Sequence, residues 1–286
     1  MISVVIPAYN EENAIKETID EIKLVFKNNK IKEFEVVVVN DGSSDKTGDI
    51  AKAQGITVVN HPHNVGYGRS LKDGIRTAKF DTIVITDADR TYPFDQAPML
   101  IKEFQKGFDM VVGARTGSHY RESLIKAPLR KILKFLVEFT ASREIPDINS
   151  GLRVFSRKTV LTYVSHLCDT FSFTTSMTLA YMMTGRFVKY LPIPYEKREG
   201  QTKVKLVKDS LRTLQYILQS INYYNPIKIF MLFAAICFFF SLSGFLLSAL
   251  AGLKSGFYLG IGGLLVSLVI VGLGLVADLL KQIMHK

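Results

Sequence analysis

Between Ile229 and Leu253 the chain runs 25 residues without a charged side chain. As a helix this run is roughly 38 Å long at about 1.5 Å per residue, and a bilayer's hydrocarbon core is about 30 Å thick. Lys254-Ser255-Gly256 makes a short turn. A second uncharged run of 21 residues follows, from Phe257 to Ala277, closed by Asp278 and Lys281. A core helix of a soluble protein rarely stays apolar all round for this length. The pattern predicts a transmembrane hairpin (spans at about 229–253 and 257–277) within a C-terminal unit 226–286, and a separate domain over 1–225. Lys and Arg crowd before the first span, while the hairpin turn carries only Lys254. The positive-inside rule then puts the N-terminal domain and the tail Lys281–Lys286 in the cytoplasm.

The formal net charge is +10, yet mean hydropathy is +0.17. A chain both basic and apolar suggests a membrane protein with a cationic cytoplasmic face and argues against nucleic acid as its partner. Two stretches, about 122–142 and 204–224, interleave apolar residues at helical spacing with Lys126, Arg130, Lys131 and Lys134, and with Lys205, Lys208 and Arg212. Such basic amphipathic helices lie on anionic bilayers; the bland alternative is surface helices packed on the domain. Cys168 and Cys237 cannot make a disulfide framework, and no Cys/His cluster suggests zinc. His61 and His63 flank Pro62 in a loop, with little to mark them as metal ligands. The N-terminus lacks the pattern of a signal peptide, so the front of the chain is expected to stay on the synthesis side.

Residues 1 to about 115 alternate strand and helix signals. Ser3–Ile6, Glu35–Val39, Thr57–Val59, Thr82–Thr86 and Met110–Val112 read as strands. Ala14–Lys27, Thr47–Gln54, Ser70–Lys79 and Pro98–Lys106 read as helices, with Asn13 and Ser44 as N-caps of the first two. This rhythm predicts an α/β domain on a parallel sheet covered on both faces.

Asp87 and Asp89 follow the apolar run Thr82–Thr86. Residues i and i+2 of a strand share a face, so Asp87-Ala88-Asp89 places two carboxylates side by side at the strand's carboxyl end. Ligands of open α/β sheets bind at that edge. Paired oxygens suit Mg²⁺ or Mn²⁺, and the ion suits a diphosphate; taken alone, the pair also reads as an ordinary turn. The same edge collects Pro7-Ala8-Tyr9-Asn10-Glu11, Asn40-Asp41-Gly42-Ser43, Asn64-Val65-Gly66-Tyr67-Gly68 and Gly113-Ala114-Arg115. Glu11 and Asp41 offer acceptors for a base and ribose, and Arg115 offers a cation for phosphate. No P-loop is present, and Gly66-x-Gly68 lacks the third glycine of the dinucleotide fingerprint.

Taken together these segments resemble the family 2 inverting glycosyltransferases of the GT-A fold. Asp147-Ile-Asn-Ser150-Gly151-Leu-Arg153 and Pro194-Tyr195-x-x-Arg198-x-Gly200-x-Thr202-Lys203 are similar to the dolichyl- or polyprenyl-phosphate sugar synthase branch. The resemblance covers about residues 2–225. It implies a Rossmann-like, mostly parallel catalytic domain with amphipathic interfacial helices and a membrane hairpin. It implies that Pro7, Tyr9, Glu11, Asp41 and Asp87 hold the nucleotide sugar, with Asp89 the usual ligand of Mg²⁺ or Mn²⁺. Arg115 and Arg153 match cationic positions near the phosphates. Arg198 and Lys203 match a loop closing over donor and acceptor phosphates, and Ser150 matches a position near the acceptor. Asp89, Arg115, Arg198 and Lys203 are the expected catalytic set, and Ser150, Arg153, Arg198 and Lys203 the acceptor-phosphate set.

Two departures stand out. Many relatives follow the acidic motif with Leu-Gln, where this chain has Arg90-Thr91-Tyr92-Pro93, so Thr91 or Asp95 is the expected third metal ligand. Many also carry an acid near the segment Phe171–Ser176, which here is all hydroxyl and aromatic. A sugar hydroxyl acceptor needs a general base. A phosphate monoester, with a second pKa of about 6, arrives as an anion. The chain must instead offset repulsion between two anions, and residues 186–212 carry eight basic against three acidic side chains. The expected reaction moves one sugar, glucose or mannose, from a UDP- or GDP-sugar to dolichyl or polyprenyl phosphate at the bilayer. The alternatives are a membrane-anchored glycosyltransferase acting on a glycan or another lipid, and a non-catalytic nucleotide-sugar-binding protein. Homo-oligomerisation is left open.

Overall fold

The computed structural model describes residues 1–117, 127–195 and 206–284. Two compact units emerge, Met1–Ile217 and Leu218–Lys286.

The first unit begins with the expected alternation: β1 (Ile2–Ala8), α1 (Ile15–Asn28), β2 (Phe34–Asn40), α2 (Thr47–Ala53), β3 (Thr57–Asn60), α3 (Tyr67–Thr77), β4 (Thr82–Ile85), α4 (Ala97–Phe104) and β5 (Met110–Thr116). There follow α5 (Ala127–Ala141), β6 (Arg153–Ser156), α6 (Arg157–Leu161), α7 (Phe173–Met183), β7 (Val188–Pro194) and α8 (Leu206–Tyr224). The seven strands form one sheet in the order β3-β2-β1-β4-β6-β5-β7. Every pairing is parallel except those of β6, which runs antiparallel to both β4 and β5. β1 is buried along its whole length and β2 from Val36 to Val39, as continuous apolar strands covered on both faces should be. Ile15, Ile19, Ile22 and Phe26 of α1 enter the same core.

The reversed β6 matters for the site. The carboxyl ends of the parallel strands share one edge, and β6 brings its amino end to that edge. The segment Asp147–Leu152 therefore stands among the loops that follow β1, β2, β4 and β5.

Some expected details differ. Neither Asn13 nor Ser44 is an N-cap: α1 is entered through Ala14 and α2 through Lys46, without side-chain cap bonds. Their first turns are held otherwise. Glu11 O accepts from the Ala14 and Ile15 N–H groups, and Asp45 Oδ1 accepts from Thr47 N at 3.0 Å. α3 starts three residues before Ser70 because Gly66, at φ +115°, turns the chain directly into it.

The second unit contains α9 (Pro226–Ala251) and α10 (Lys254–Met284). Both are long and apolar enough to cross a membrane, and only 22% and 17% of their most apolar windows are buried. Phe239, Leu250 and Leu268 stand exposed, which a soluble core helix would not allow. Small residues line the crossing. A Cβ at Gly244 would meet Gly260 N at 2.7 Å, and Ser267 Oγ donates to Ala234 O at 3.0 Å; both are devices by which apolar helices pack closely. The turn lies at Gly252-Leu253 rather than at Lys254-Ser255-Gly256. Gly252 takes the left-handed conformation (φ +67°) that ends α9, and Lys254 already opens α10. Pro226 sits in the first turn of α9, where its missing N–H costs nothing, so this helix begins before Ile229.

Candidate active site

Asp87 and Asp89 occupy the turn after β4, at the expected sheet edge. Ala88 between them is buried, and its carbonyl accepts from Thr18 Oγ1 at 2.9 Å. Arg90 at φ +59° completes the turn. Asp89 Oδ1 accepts from Thr91 N (3.2 Å) and Thr91 Oγ1 (2.7 Å). Thr91 is buried and donates its hydroxyl hydrogen to Asp89, which orients the acid. Asp95 is exposed and accepts from Gln96.

Asp87 Oδ1 accepts from Tyr67 Oη at 3.0 Å. Burial, and then the charge of Asp87, raise the Tyr67 phenol well above its ordinary value, so it remains a donor. On the other side, a Cβ at residue 151 would meet Asp87 Oδ2 at 2.9 Å. Gly151 N donates to Tyr92 Oη at 2.7 Å. Burial raises the Tyr92 phenol as well, against the pull of Arg115. Sequence reasoning missed both tyrosines. Their only signals are an aromatic placed between two glycines and another three residues past Asp89.

Arg115 leaves β5 and makes a two-point ion pair with Asp147, Nε to Oδ2 at 2.7 Å and Nη2 to Oδ1 at 2.8 Å. Its guanidinium also lies 5.3 Å from the centroid of the Tyr195 ring, and Tyr195 meets Tyr92 edge-on. Burial alone would raise the Asp147 carboxyl, but the hydrogen bonds and charge of Arg115 outweigh it and hold Asp147 below the usual range.

Ser150 and Arg153 require a correction. Both are fully buried. Ser150 Oγ donates to Gly113 O. Arg153 donates to Ser150 O (2.8 Å), Ile148 O (2.7 Å) and Thr178 Oγ1 (2.8 Å). Because β6 turns Arg153 into the interior, its fork of donors staples the 147–150 loop instead of facing a phosphate. The hydroxyl-rich stretch before and within α7 serves the same loop, with Thr175 Oγ1 donating to Asn149 Oδ1 at 2.6 Å. Arg198 and Lys203 lie outside the described residues.

The loops after β1 and β2 are laced to each other. Pro7 is buried within β1, opposite Val39, where it shapes the edge rather than meeting solvent. Tyr9 and Glu11 are half-buried just beyond it. Asn10 N donates to Ser43 Oγ (3.0 Å), Ser44 N donates to Asn10 Oδ1 (2.8 Å), and Glu11 N donates to Thr47 Oγ1 (2.8 Å). Asp41 is buried. Its Oδ1 accepts from His61 Nδ1 (2.8 Å) and Val65 N (3.0 Å), and its Oδ2 from Gly66 N (2.9 Å). The glycines of Asn64-x-Gly66-x-Gly68 admit another loop, since a Cβ at Gly66 would meet Asp169 O at 2.7 Å and one at Gly68 would meet Cys168 O at 2.2 Å. Asp169 pairs with the nearly buried Lys72 at 2.7 Å, and Phe171 stacks on Tyr67 at 5.8 Å.

Among the described residues no three His, Cys, Asp or Glu side chains form a complete metal cage. Two carboxylates in one turn still fit Mg²⁺ or Mn²⁺, because such ions commonly take one or two acids together with substrate phosphates. Gly151, lacking a Cβ, lets the 147–151 loop pack directly against the Asp87 carboxylate.

Known proteins resemble this chain. The chain is 31% identical to the low-salt glycan biosynthesis hexosyltransferase Agl6 of Haloferax volcanii, covering 93% of this chain and 65% of the relative's length. It is 28% identical to a dolichyl-phosphate hexose transferase of the same organism, over 71% of this chain and 86% of the relative. It is 27% identical to an undecaprenyl-phosphate 4-deoxy-4-formamido-L-arabinose transferase of Edwardsiella ictaluri, over 82% and 72%. Glucosyl-3-phosphoglycerate synthase from Mycobacterium tuberculosis, solved with Mn²⁺, UDP and glucosyl-3-phosphoglycerate, superposes with a TM-score of 0.60 at 21% identity. It covers 77% of this chain and 79% of that one, a likeness of fold, which is GT-A. The model of "Glycosyl transferase family 2" matches residues 3–163, a stretch that holds the paired acids, the Asp41 loop and the Arg115–Asp147 clasp; the chain belongs to that family.

Proposed function

We propose that this protein transfers a single hexose, glucose or mannose, from a nucleoside diphosphate sugar to a polyprenyl or dolichyl phosphate, with inversion, at the cytoplasmic face of a membrane. The observation that carries the reading is the pairing of Asp87 and Asp89 in one turn, with Tyr67, Thr91 and Gly151 arranged to orient them. Relatives named as dolichyl- and undecaprenyl-phosphate transferases support the acceptor.

Asp87 and Asp89 would hold the divalent ion, whose chemistry is to neutralise charge on the departing nucleoside diphosphate. The loops after β1 and β2 take the base and ribose through Tyr9, Glu11 and Asp41. Asp169 is tied to Lys72 and the Phe171–Ser176 stretch contributes no carboxylate, which suits an acceptor that is already anionic. The basic segment that includes Arg198 and Lys203 would screen the two anions as they approach. Arg115, clasped to Asp147, keeps the 147–151 loop beside the acids.

Two apolar helices support a lipid-borne acceptor. So does α5, which exposes Phe135 and Phe139 in a stacked pair at 6.0 Å, as an interfacial helix would. The excess of Lys and Arg before Pro226 supports a cytoplasmic domain. The test is a panel of labelled nucleotide sugars offered to membranes carrying the protein, with polyprenyl phosphate and Mg²⁺, scored by label extracted into organic solvent. Label passing to a glycan or remaining water-soluble would contradict the proposal.

A further inference from the structure

We propose that Lys72, a cation buried beneath the 167–171 loop, is a positioning residue for the acid pair: it fixes that loop against the start of α3 and, through Tyr67, fixes the Asp87 carboxylate. This rests on the metal-assisted reading above and goes further, because Lys72 lies in none of the motifs that carry that reading.

α3 starts at Tyr67, straight after Gly66, and has no side-chain cap. The first N–H groups of a helix have no partner within it. Here Arg69 N donates to Asp169 O at 2.9 Å, so a loop distant in sequence supplies what a cap would. That loop can approach because Gly66 and Gly68 carry no Cβ. Lys72, one turn further along α3, reaches the same loop. Its Nζ donates to Leu167 O and pairs with Asp169 Oδ1 at 2.7 Å. Phe171, at the end of the loop, lies nearly parallel to the Tyr67 ring, at 18° with centroids 5.8 Å apart. Tyr67 Oη donates to Asp87 Oδ1 at 3.0 Å. The loop thus grips Tyr67 twice, at its backbone through the first turn of α3 and at its ring through Phe171.

The energetics separate positioning from stability. The Lys72 side chain is only 7% exposed, while that of Asp169 is 53% exposed. Taking an ammonium out of water is costly, and a Met side chain of similar length would fill the space without that cost. A buried ion pair commonly adds little net stability over an apolar replacement. What the charge of Lys72 supplies is direction, with two contacts to one loop from a fixed point on α3. Asp169 faces water on its open side, so removing the lysine strands no buried carboxylate.

The test measures Mn²⁺ binding to the full chain in detergent by the EPR signal of the free ion, with UDP and in parallel with GDP present, alongside the melting midpoint. The variants are Lys72→Met, Tyr67→Phe and the two together. Lys72→Met should raise the Mn²⁺ dissociation constant by about threefold or more, part of what a full hydrogen bond to a charged group contributes, with a melting midpoint close to that of the natural protein. Because both changes act through the same Tyr67–Asp87 bond, the double variant should weaken binding by less than the product of the two separate factors. Unchanged Mn²⁺ affinity in folded Lys72→Met overturns the inference, and so does a double variant whose factor equals that product; either leaves the transferase reading intact. If the natural protein takes up no Mn²⁺ with either nucleotide, the metal reading falls and the inference with it. Should Lys72→Met not fold, Asp169→Ala, at the exposed end of the pair, carries the same test: weaker Mn²⁺ binding supports the inference and unchanged binding overturns it.

Discussion

Gly151 leaves open the volume that the Asp87 carboxylate needs: a Cβ there would come within 2.9 Å of Oδ2 and 3.1 Å of Oδ1. The antiparallel entry of β6 sets this contact, bringing a loop from outside the βα repeat against the acid pair. Gly151→Ala should therefore push Asp87 aside while leaving the sheet intact. Displacing a reacting group by about 1 Å can cost about 100-fold in rate. We expect a loss of that order in kcat with a thermal midpoint close to that of the natural protein, read by paired activity and melting measurements.

Tyr67→Phe removes a hydroxyl that donates to Asp87 while keeping the ring that stacks on Phe171. Hydrogen bonds to charged groups contribute about 1.5–3 kcal/mol, or roughly 10- to 150-fold. The loss should show as weaker Mn²⁺ or Mg²⁺ activation, with a higher metal concentration needed for half-maximal rate. An unaltered metal titration would remove Tyr67 from the site.

Arg115→Ala leaves the buried Asp147 carboxylate without its partner. Breaking such a pair costs about 3–5 kcal/mol. In the natural protein the Asp147 carboxyl is held below its ordinary value. Its contribution is therefore present above the unfolded value of about 3.9 and fades as pH falls through the lower folded value. In the variant the backbone N–H groups of residues 115 and 149 still donate to the carboxylate, but the guanidinium no longer offsets burial, and the protonated acid is favoured more than in the natural protein. The destabilisation should be largest near neutral pH and shrink below about pH 4, measured as the difference in melting midpoint across pH. Arg115→Lys should recover only part of it, since an ammonium cannot reproduce the two-point geometry.

Gly68→Ala places a methyl group 2.2 Å from Cys168 O and 2.8 Å from the Asp169 carbonyl carbon. Neither is a flexible side chain, so the 168–171 loop must move, and Phe171 with it. The expected outcome is loss of both stability and activity, unlike the activity-selective effect at Gly151. Limited proteolysis of the 167–172 segment would report the displacement.

The sequence made some of this legible and hid the rest for physical reasons. Strands β1, β2 and β4 were readable because they are largely buried, β-branched runs between turn residues, while the edge strand β3 is only partly buried and was readable from its β-branched Thr57-Val58-Val59. β6 begins with Arg153, and only the structure shows that a guanidinium can be spent on loop carbonyls inside a sheet. β7 contains Pro192 and Pro194 and survives because it lies at the sheet edge. The motif match placed Ser150 and Arg153 near the acceptor by position, but position does not give direction, and both turn inward. Asn13 and Ser44 have the composition of caps, yet backbone carbonyls and Asp45 took that role. His61 looked like a loop histidine because its partners, Asp41 and Asp73, lie 20 and 12 residues away in sequence and meet it only in the fold.

The account depends on Asp87 and Asp89 serving a metal-assisted transfer to a lipid phosphate. The most direct measurement compares the natural protein with Asp89→Asn in purified membranes supplied with labelled nucleotide sugar, polyprenyl phosphate and Mg²⁺. Several kcal/mol of electrostatic stabilisation correspond to at least about 100-fold in rate. The account predicts lipid-extractable label that needs the metal and falls by that factor in the variant. Transfer that persists in Asp89→Asn, or proceeds unchanged after chelation of divalent ions, would contradict it.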